Sequence, residues 1–239
     1  MRSDVRHQLK EDRFRQFTAE QAHWAVEHKE NLVKGGIALL VLLGVAVGGW
    51  LYLNHRDDLA SAELSRAVRT YNTPIRPAGT PEQPEFPSFA SAAERATKAH
   101  AQFEAIASNY GHTKSGDFAR YLAGLTAIDT GDNATAEREL KQTADVSNND
   151  LSSLAKIALA SLYRNTNRDA QAIDLYKQLS DKPSQTVSKA TAQMELAGLY
   201  ASKGQPADAR KVYEQIQKDN ANTEIAAMAS SKLQELIKK

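Results

Sequence analysis

Leu159–Tyr176 reads LASLYRNTNRDAQAIDLY: apolar residues at helical spacing, a polar break around Asn167, then helical spacing again. That pattern predicts a helix, a turn and a second helix. Two further stretches repeat it, LAGLTAIDTGDNATAEREL (Leu122–Leu140) and LAGLYASKGQPADARKVY (Leu196–Tyr213), at offsets of 36 and 37 residues. In this register Ala123, Leu159 and Leu196 coincide, followed by Gly124, Ala160 and Ala197, then Ala127, Tyr163 and Tyr200. The downstream halves match as well, with Ala136, Ala172 and Ala209 each followed four residues later by Leu140, Tyr176 or Tyr213.

The column Gly124, Ala160, Ala197 is small throughout, as two closely crossing helices require. Gly131, Asn167 and Gly204 share the turn position, and Gly and Asn tolerate the left-handed conformation that ends a helix. A lone helical hairpin cannot bury its apolar face, so such units stack. Ala99, Phe103 and Ile106 fall 37 residues before Ala136, Leu140 and Thr143, which predicts a degenerate earlier unit whose first helix is residues 57–71. At the other end Leu233 and Ile237 lie 37 residues beyond Leu196 and Tyr200, and the segment is expected to be a capping helix.

The spacing LAxLY…G…A…Y resembles the tetratricopeptide repeat, lengthened by two or three residues from its usual length of about 34. Leu159, Ala160, Tyr163, Ala172, Tyr176 and Pro183 fit that pattern, whereas the Trp usual in the first helix is missing and Lys156 or Gln193 stands in its place. The resemblance implies an all-α solenoid of helix-turn-helix units.

A different segment precedes the repeats. Gly35–Leu53 contains nineteen residues without an ionisable group, and as a helix they reach roughly 28 Å, close to the hydrocarbon thickness of a bilayer. Trp50 and Tyr52 stand near one end, where amphipathic rings favour the interface, and Lys34 stands at the other. The 34 residues before the run and the absence of a small-x-small cleavage site argue against a removed signal peptide, so a retained single-pass anchor is expected. The leader carries seven Lys/Arg, and short segments rich in them stay cytoplasmic, so the N-terminus is expected inside and the C-terminal bulk outside. Phe14, Phe17 and Trp24 share one side of a leader helix that is either solvated or laid on the cytoplasmic leaflet.

The expected order of parts is a leader over 1–34, an anchor over 35–53, a post-membrane helix over 54–71, a Pro-rich insertion over 72–89, repeats over 90–222 and a capping helix over 223–239. Asp57 and Asp58 suit the positive N-terminal end of the post-membrane helix. The insertion holds five of the seven prolines. It is expected to be extended and solvated, either a plain spacer or a docking site for a proline-recognising partner.

Chemistry is sparse. From residue 54 onward 23 Lys/Arg balance 23 Asp/Glu, so there is no electrostatic footprint for nucleic acid. The chain has no cysteine, and its six histidines form no metal-ligand spacing. Glu137 and Glu139 alternate with Arg138 and Lys141 in the manner of a solvated helix face. No enzyme activity, metal, cofactor or small-molecule substrate is expected; an unrecognised catalytic site in a groove is the rival reading from another functional class.

Protein binding remains. Phe118, Tyr121, Leu125 and Ile128, with Leu154, Ile157 and Met194, lie on first helices away from the small-residue contact. They either line an apolar partner groove or pack inside the array. Gly44 and Gly48 form a GxxxG on the anchor, which permits close approach of another membrane helix, a homodimer included, or is incidental.

A charged leader ending in a helix with AHWAVEHKENL, a Gly-rich span ending in GGW, a post-span helix and a short repeat array together resemble the bacterial family of ancillary SecYEG translocon subunits. That resemblance implies a membrane-anchored periplasmic protein-binding scaffold, or chaperone-like accessory of Sec translocation, with translocon subunits, a periplasmic folding factor or unfolded clients as partners. The alternative is a tetratricopeptide scaffold that coordinates cell division or envelope assembly.

Overall fold

A computed structural model describes residues 28–81 and 83–237; the leader aromatics Phe14, Phe17 and Trp24 lie outside them. Among the described residues the chain forms nine α-helices and no strand. It divides into two units, Met1–Asn54 and His55–Lys239.

Helix α1, Lys29–Asn72, contributes to both. The span and the post-membrane helix, expected as separate elements, belong to one 44-residue helix. The physical reason is that Asn54–Asp58 changes composition without supplying Gly or Pro, so nothing breaks the helical hydrogen-bond ladder. Within the first unit the apolar stretch is wholly exposed, and α1 is long and apolar enough to cross a membrane.

The second unit contains the remainder of α1 and then α2 (Ala92–Asn109), α3 (Lys114–Thr130), α4 (Asn133–Ala144), α5 (Asn149–Asn165), α6 (Asp169–Asp181), α7 (Lys189–Ser202), α8 (Pro206–Asp219) and α9 (Glu224–Ile237). The starts are written locally: Ser91, Thr113, Asp132, Asn148 and Ser188 each accept backbone N–H bonds from the first turn that follows. The helix ends follow the repeat register. Gly131, Asn167 and Gly204 all take positive φ, at 80°, 58° and 70°. In each turn the backbone N–H one residue later returns to the matched column: Asp132 to the Ala127 carbonyl, Arg168 to Tyr163 and Gln205 to Tyr200, at 2.8–2.9 Å. This is the closure that satisfies orphan carbonyls at a helix end.

Pairs α3/α4, α5/α6 and α7/α8 are therefore the three units. Their matched columns are buried: Ala136, Ala172 and Ala209, then Leu140, Tyr176 and Tyr213. The degenerate unit is present too. Ala60 and Ala67 of α1 pack with Ala99, Phe103 and Ile106 of α2 and with Ala119 and Ala123 of α3. Asp57 and Asp58 do not begin a helix. Instead Asp57 Oδ1 accepts the Ser115 N–H at 2.8 Å, so the acid satisfies the first turn of α3 rather than of its own helix. The last helix caps the array through Ala229, Ile225, Leu233 and Leu236. Ile237, matched by register to Tyr200, is 68% exposed.

The Pro-rich insertion excludes helix as expected, yet it is not simply extended. Its ends close on each other, with Arg76 N–H donating to Phe89 O at 2.8 Å and Phe89 N–H to Pro74 O at 3.0 Å. The Arg76 guanidinium adds a bond to Ser88 O at 2.9 Å. Gly79, at φ 81°, turns the chain between them. Ile75 and Phe86 remain exposed.

Candidate protein-interaction surface

The first-helix stripe is half-buried almost throughout. Tyr121, Ile128 and Ile157 pack against the cluster built by α3 to α7, and Leu154 and Ile157 also meet Leu179, Val187 and Ala192. Met194 packs against the α7–α9 cluster. Leu125 is half-buried. Phe118 is the most open member, 39% exposed, with its ring centroid 6.0 Å from that of Tyr121. The stripe thus joins successive units and presents one aromatic pair at its α3 end. Burial raises the Tyr121 phenol above its ordinary pKa, so this pair offers apolar area with a neutral hydroxyl. Near the stripe Asp129 accepts from the Tyr71 hydroxyl, and Arg164 pairs with Glu195 at 2.9 Å.

On the anchor, Gly44 and Gly48 have no neighbouring atom within 4 Å of where a side chain would begin. Among the described residues of the first unit nothing covers them.

Glu139 corrects the reading of a solvated charged face. It is 5% exposed and accepts from Arg138 at 2.8 Å and from Arg120 at 3.3 Å. Arg120 also reaches Gln142 and, at 3.2 Å, the Ala107 carbonyl. The charge is buried because it is paired on both sides. Glu137 is likewise integrated, bonded to Lys141, Arg168 and the Tyr163 hydroxyl at 2.6–3.0 Å. Burial alone would raise its pKa, but those three hydrogen bonds outweigh it and hold the carboxyl at about 2. The sequence shows each acid beside bases on its own helix; partners from neighbouring helices leave no local signal.

Two clefts accompany these clusters. One of roughly 730 Å³ lies over Arg120, between α2 and α4. The other, of roughly 570 Å³, lies over Lys156, between α4 and α6. Among the described residues no three His, Asp or Glu side chains gather as a metal site.

The model of the tetratricopeptide repeat-like domain family matches residues 22–238. Two solved structures of the nearly identical TPR-like repeats of a putative kinesin light chain from Podosopora anserina, one of them a substituted form, are similar to this chain. They superimpose with TM-scores of 0.56 and 0.54 at 16% identity, over 77% of this chain and 87% of theirs. That likeness is one of fold. No curated protein matches the chain. A matched model that runs from before α1 to the end of α9, together with the three-fold recurrence of turn, small column and buried large apolar or aromatic column, places the chain in the tetratricopeptide repeat-like domain family.

Proposed function

We propose that this chain is a membrane-anchored periplasmic scaffold, a chaperone-like accessory of the Sec translocation machinery in the bacterial inner membrane. Arrays of the family typically mediate protein–protein interaction without catalysis. The observation that carries the finer reading is the order of parts: one exposed apolar helix long enough to span a bilayer, followed without a break by a repeat array. An anchor of this kind keeps a binding surface beside a membrane complex at high effective concentration. The Lys/Arg of the leader support this orientation, with the N-terminus in the cytoplasm and the array outside. The Phe118–Tyr121 end of the first-helix stripe is the proposed contact for translocon subunits, a periplasmic folding factor or an unfolded client, and Gly44 with Gly48 is the proposed contact within the membrane.

Affinity purification of the full chain in mild detergent tests this. Translocon subunits should co-purify in preference to division or wall-assembly proteins. Recovery of the latter alone would assign the scaffold to envelope assembly instead.

A further inference from the structure

The Pro-rich loop takes its shape from its own bonds. Between its pinned ends, Thr80 N–H donates to Pro77 O and Phe86 N–H to Gln83 O, both at 3.1 Å. These are two tight turns, the first carried by Gly79 at φ 81° and the second by Pro84, at the position where proline pre-sets the backbone. Arg95 of α2 holds the base through Thr73 O at 3.3 Å. No described residue from 74 to 89 belongs to a hydrophobic cluster of the array. Pro81, Pro84 and Pro87 have the three-residue spacing of a polyproline helix, but the Gln83–Phe86 turn folds the chain inside that run, so they form no continuous ridge.

What the turns make instead is a cleft of roughly 250 Å³, with Pro74, Ile75, Pro77, Pro81, Phe86 and Pro87 in its lining. It has room for a single aromatic side chain. Ile75 is 43% exposed and Phe86 is 69% exposed, so two large apolar side chains are held at the surface by a loop that is already ordered. Proline rings lose almost no conformational freedom on binding, and they pack on aromatic rings, as proline-rich segments do in aromatic-lined grooves. Charge narrows the occupant further. Residues 72–89 carry three ionisable side chains, Arg76, Glu82 and Glu85. Arg76 is half-buried and spent inward on Ser88 O at 2.9 Å, whereas Glu85 is exposed. The charge offered to a partner is therefore acidic, which favours Lys or Arg beside the ring and disfavours an anionic lipid surface.

We infer that the Pro-rich loop is a preformed docking element whose cleft takes an aromatic side chain of a partner protein, flanked by Lys or Arg. The loop is an insertion between helices and lies outside the surfaces that the repeats make with one another. Neither the first-helix stripe nor Gly44 and Gly48 lines its cleft, so the inference stands apart from the contacts proposed above.

Fluorine NMR with the full chain in detergent tests the assignment. The probe is a short Gly/Ser peptide with a central Arg-fluorotryptophan-Lys, titrated into micelles with and without the chain. Its signal should broaden saturably only when the chain is present. Unlabelled Arg-Trp-Lys peptide should displace it, and Arg-Ala-Lys peptide should not. A Glu-flanked version should bind about tenfold more weakly or worse. Phe86→Ala should weaken binding about tenfold at unchanged Tm, and Glu85→Lys should weaken it several-fold. Equal broadening in empty micelles, displacement by Arg-Ala-Lys, affinity indifferent to Phe86→Ala, or affinity lost instead on Phe118→Ala would each overturn the assignment. Self-association of the chain that Phe86→Ala abolishes would give the loop to a second copy, and added quenching by brominated lipid on Phe86→Trp would give it to the bilayer; either result overturns it as well.

Discussion

Gly124 of α3 and Leu140 of α4 meet so closely that a Cβ added at Gly124 would lie 2.8 Å from Leu140 Cγ and 2.9 Å from its Cδ2. The contact fixes the crossing of the two helices in the first full unit, and Ala160 and Ala197 occupy the same column, fully buried. Gly198, one residue beyond that column on α7, has no atom within 4 Å of a Cβ position and lies mid-helix. The two glycines should respond with opposite signs to the same change. Gly124→Ala forces Leu140 aside and should cost about 1–3 kcal/mol, whereas Gly198→Ala should stabilise by about 0.5–1 kcal/mol because glycine is a poor helix residue. Thermal unfolding of both variants checks this; equal shifts would contradict the register.

The turns carry a second prediction. Gly204 sits at φ 70° with open space around it, so the cost of a side chain there is backbone conformation alone. Gly204→Val should destabilise by about 1–2 kcal/mol. Asn167, at φ 58°, already tolerates that region, and Asn167→Gly should leave Tm nearly unchanged. Urea unfolding of the pair separates conformational strain from lost contacts.

Glu137 predicts an acid dependence. Its carboxyl is held at about 2, below the ordinary 4.5, so the folded state binds this proton more weakly than the unfolded chain does. The resulting stability is fully present above pH 4.5 and is lost as pH falls toward 2. Allowing for solvent screening at the half-exposed Lys141, it amounts to roughly 1–3 kcal/mol. Glu137→Gln should therefore flatten the stability profile across that window, and an unchanged slope would show that the cluster contributes nothing.

The Pro-rich loop should be nicked without harm. Its ends are pinned by the Arg76–Phe89 and Phe89–Pro74 backbone bonds, while Glu85 and Phe86 are exposed. Glu-specific protease should cut first at Glu85 in the second unit, and the nicked array should keep its Tm within a few degrees. A large loss of stability on nicking would mean that the loop packs as part of the core.

What the sequence discloses follows from how local each signal is. The repeats were legible because Gly131, Asn167 and Gly204 and the small and large columns recur at offsets of 36 and 37 residues, and a recurring column has the same physical job in every unit. The continuity of α1 was not, since Asn54–Arg56 changes polarity, and polarity does not end a helix. Asp57 was rightly read as a helix-start acid and assigned to the wrong helix, because the start it serves lies 58 residues away. Glu139 was hidden for the same reason: its second partner, Arg120, belongs to the preceding helix. The stripe residues were identified as apolar and first-helix, but their half-burial depends on the neighbouring units, which no single helix encodes.

The central claim is that the anchor and the array serve a translocon. Site-specific photocrosslinking in cells, with the photoreactive residue at Val45 or Val47 beside the Gly44–Gly48 face, tests it most directly, compared between the native chain and the Gly44→Ile, Gly48→Ile double variant. Enlarging both glycines leaves insertion intact because the span becomes more apolar, yet removes the small face on which close helix packing in lipid depends. The expected result is an adduct with a translocon subunit in the native chain that weakens several-fold in the variant. Adducts confined to division or wall-assembly proteins, at any intensity, would contradict the account.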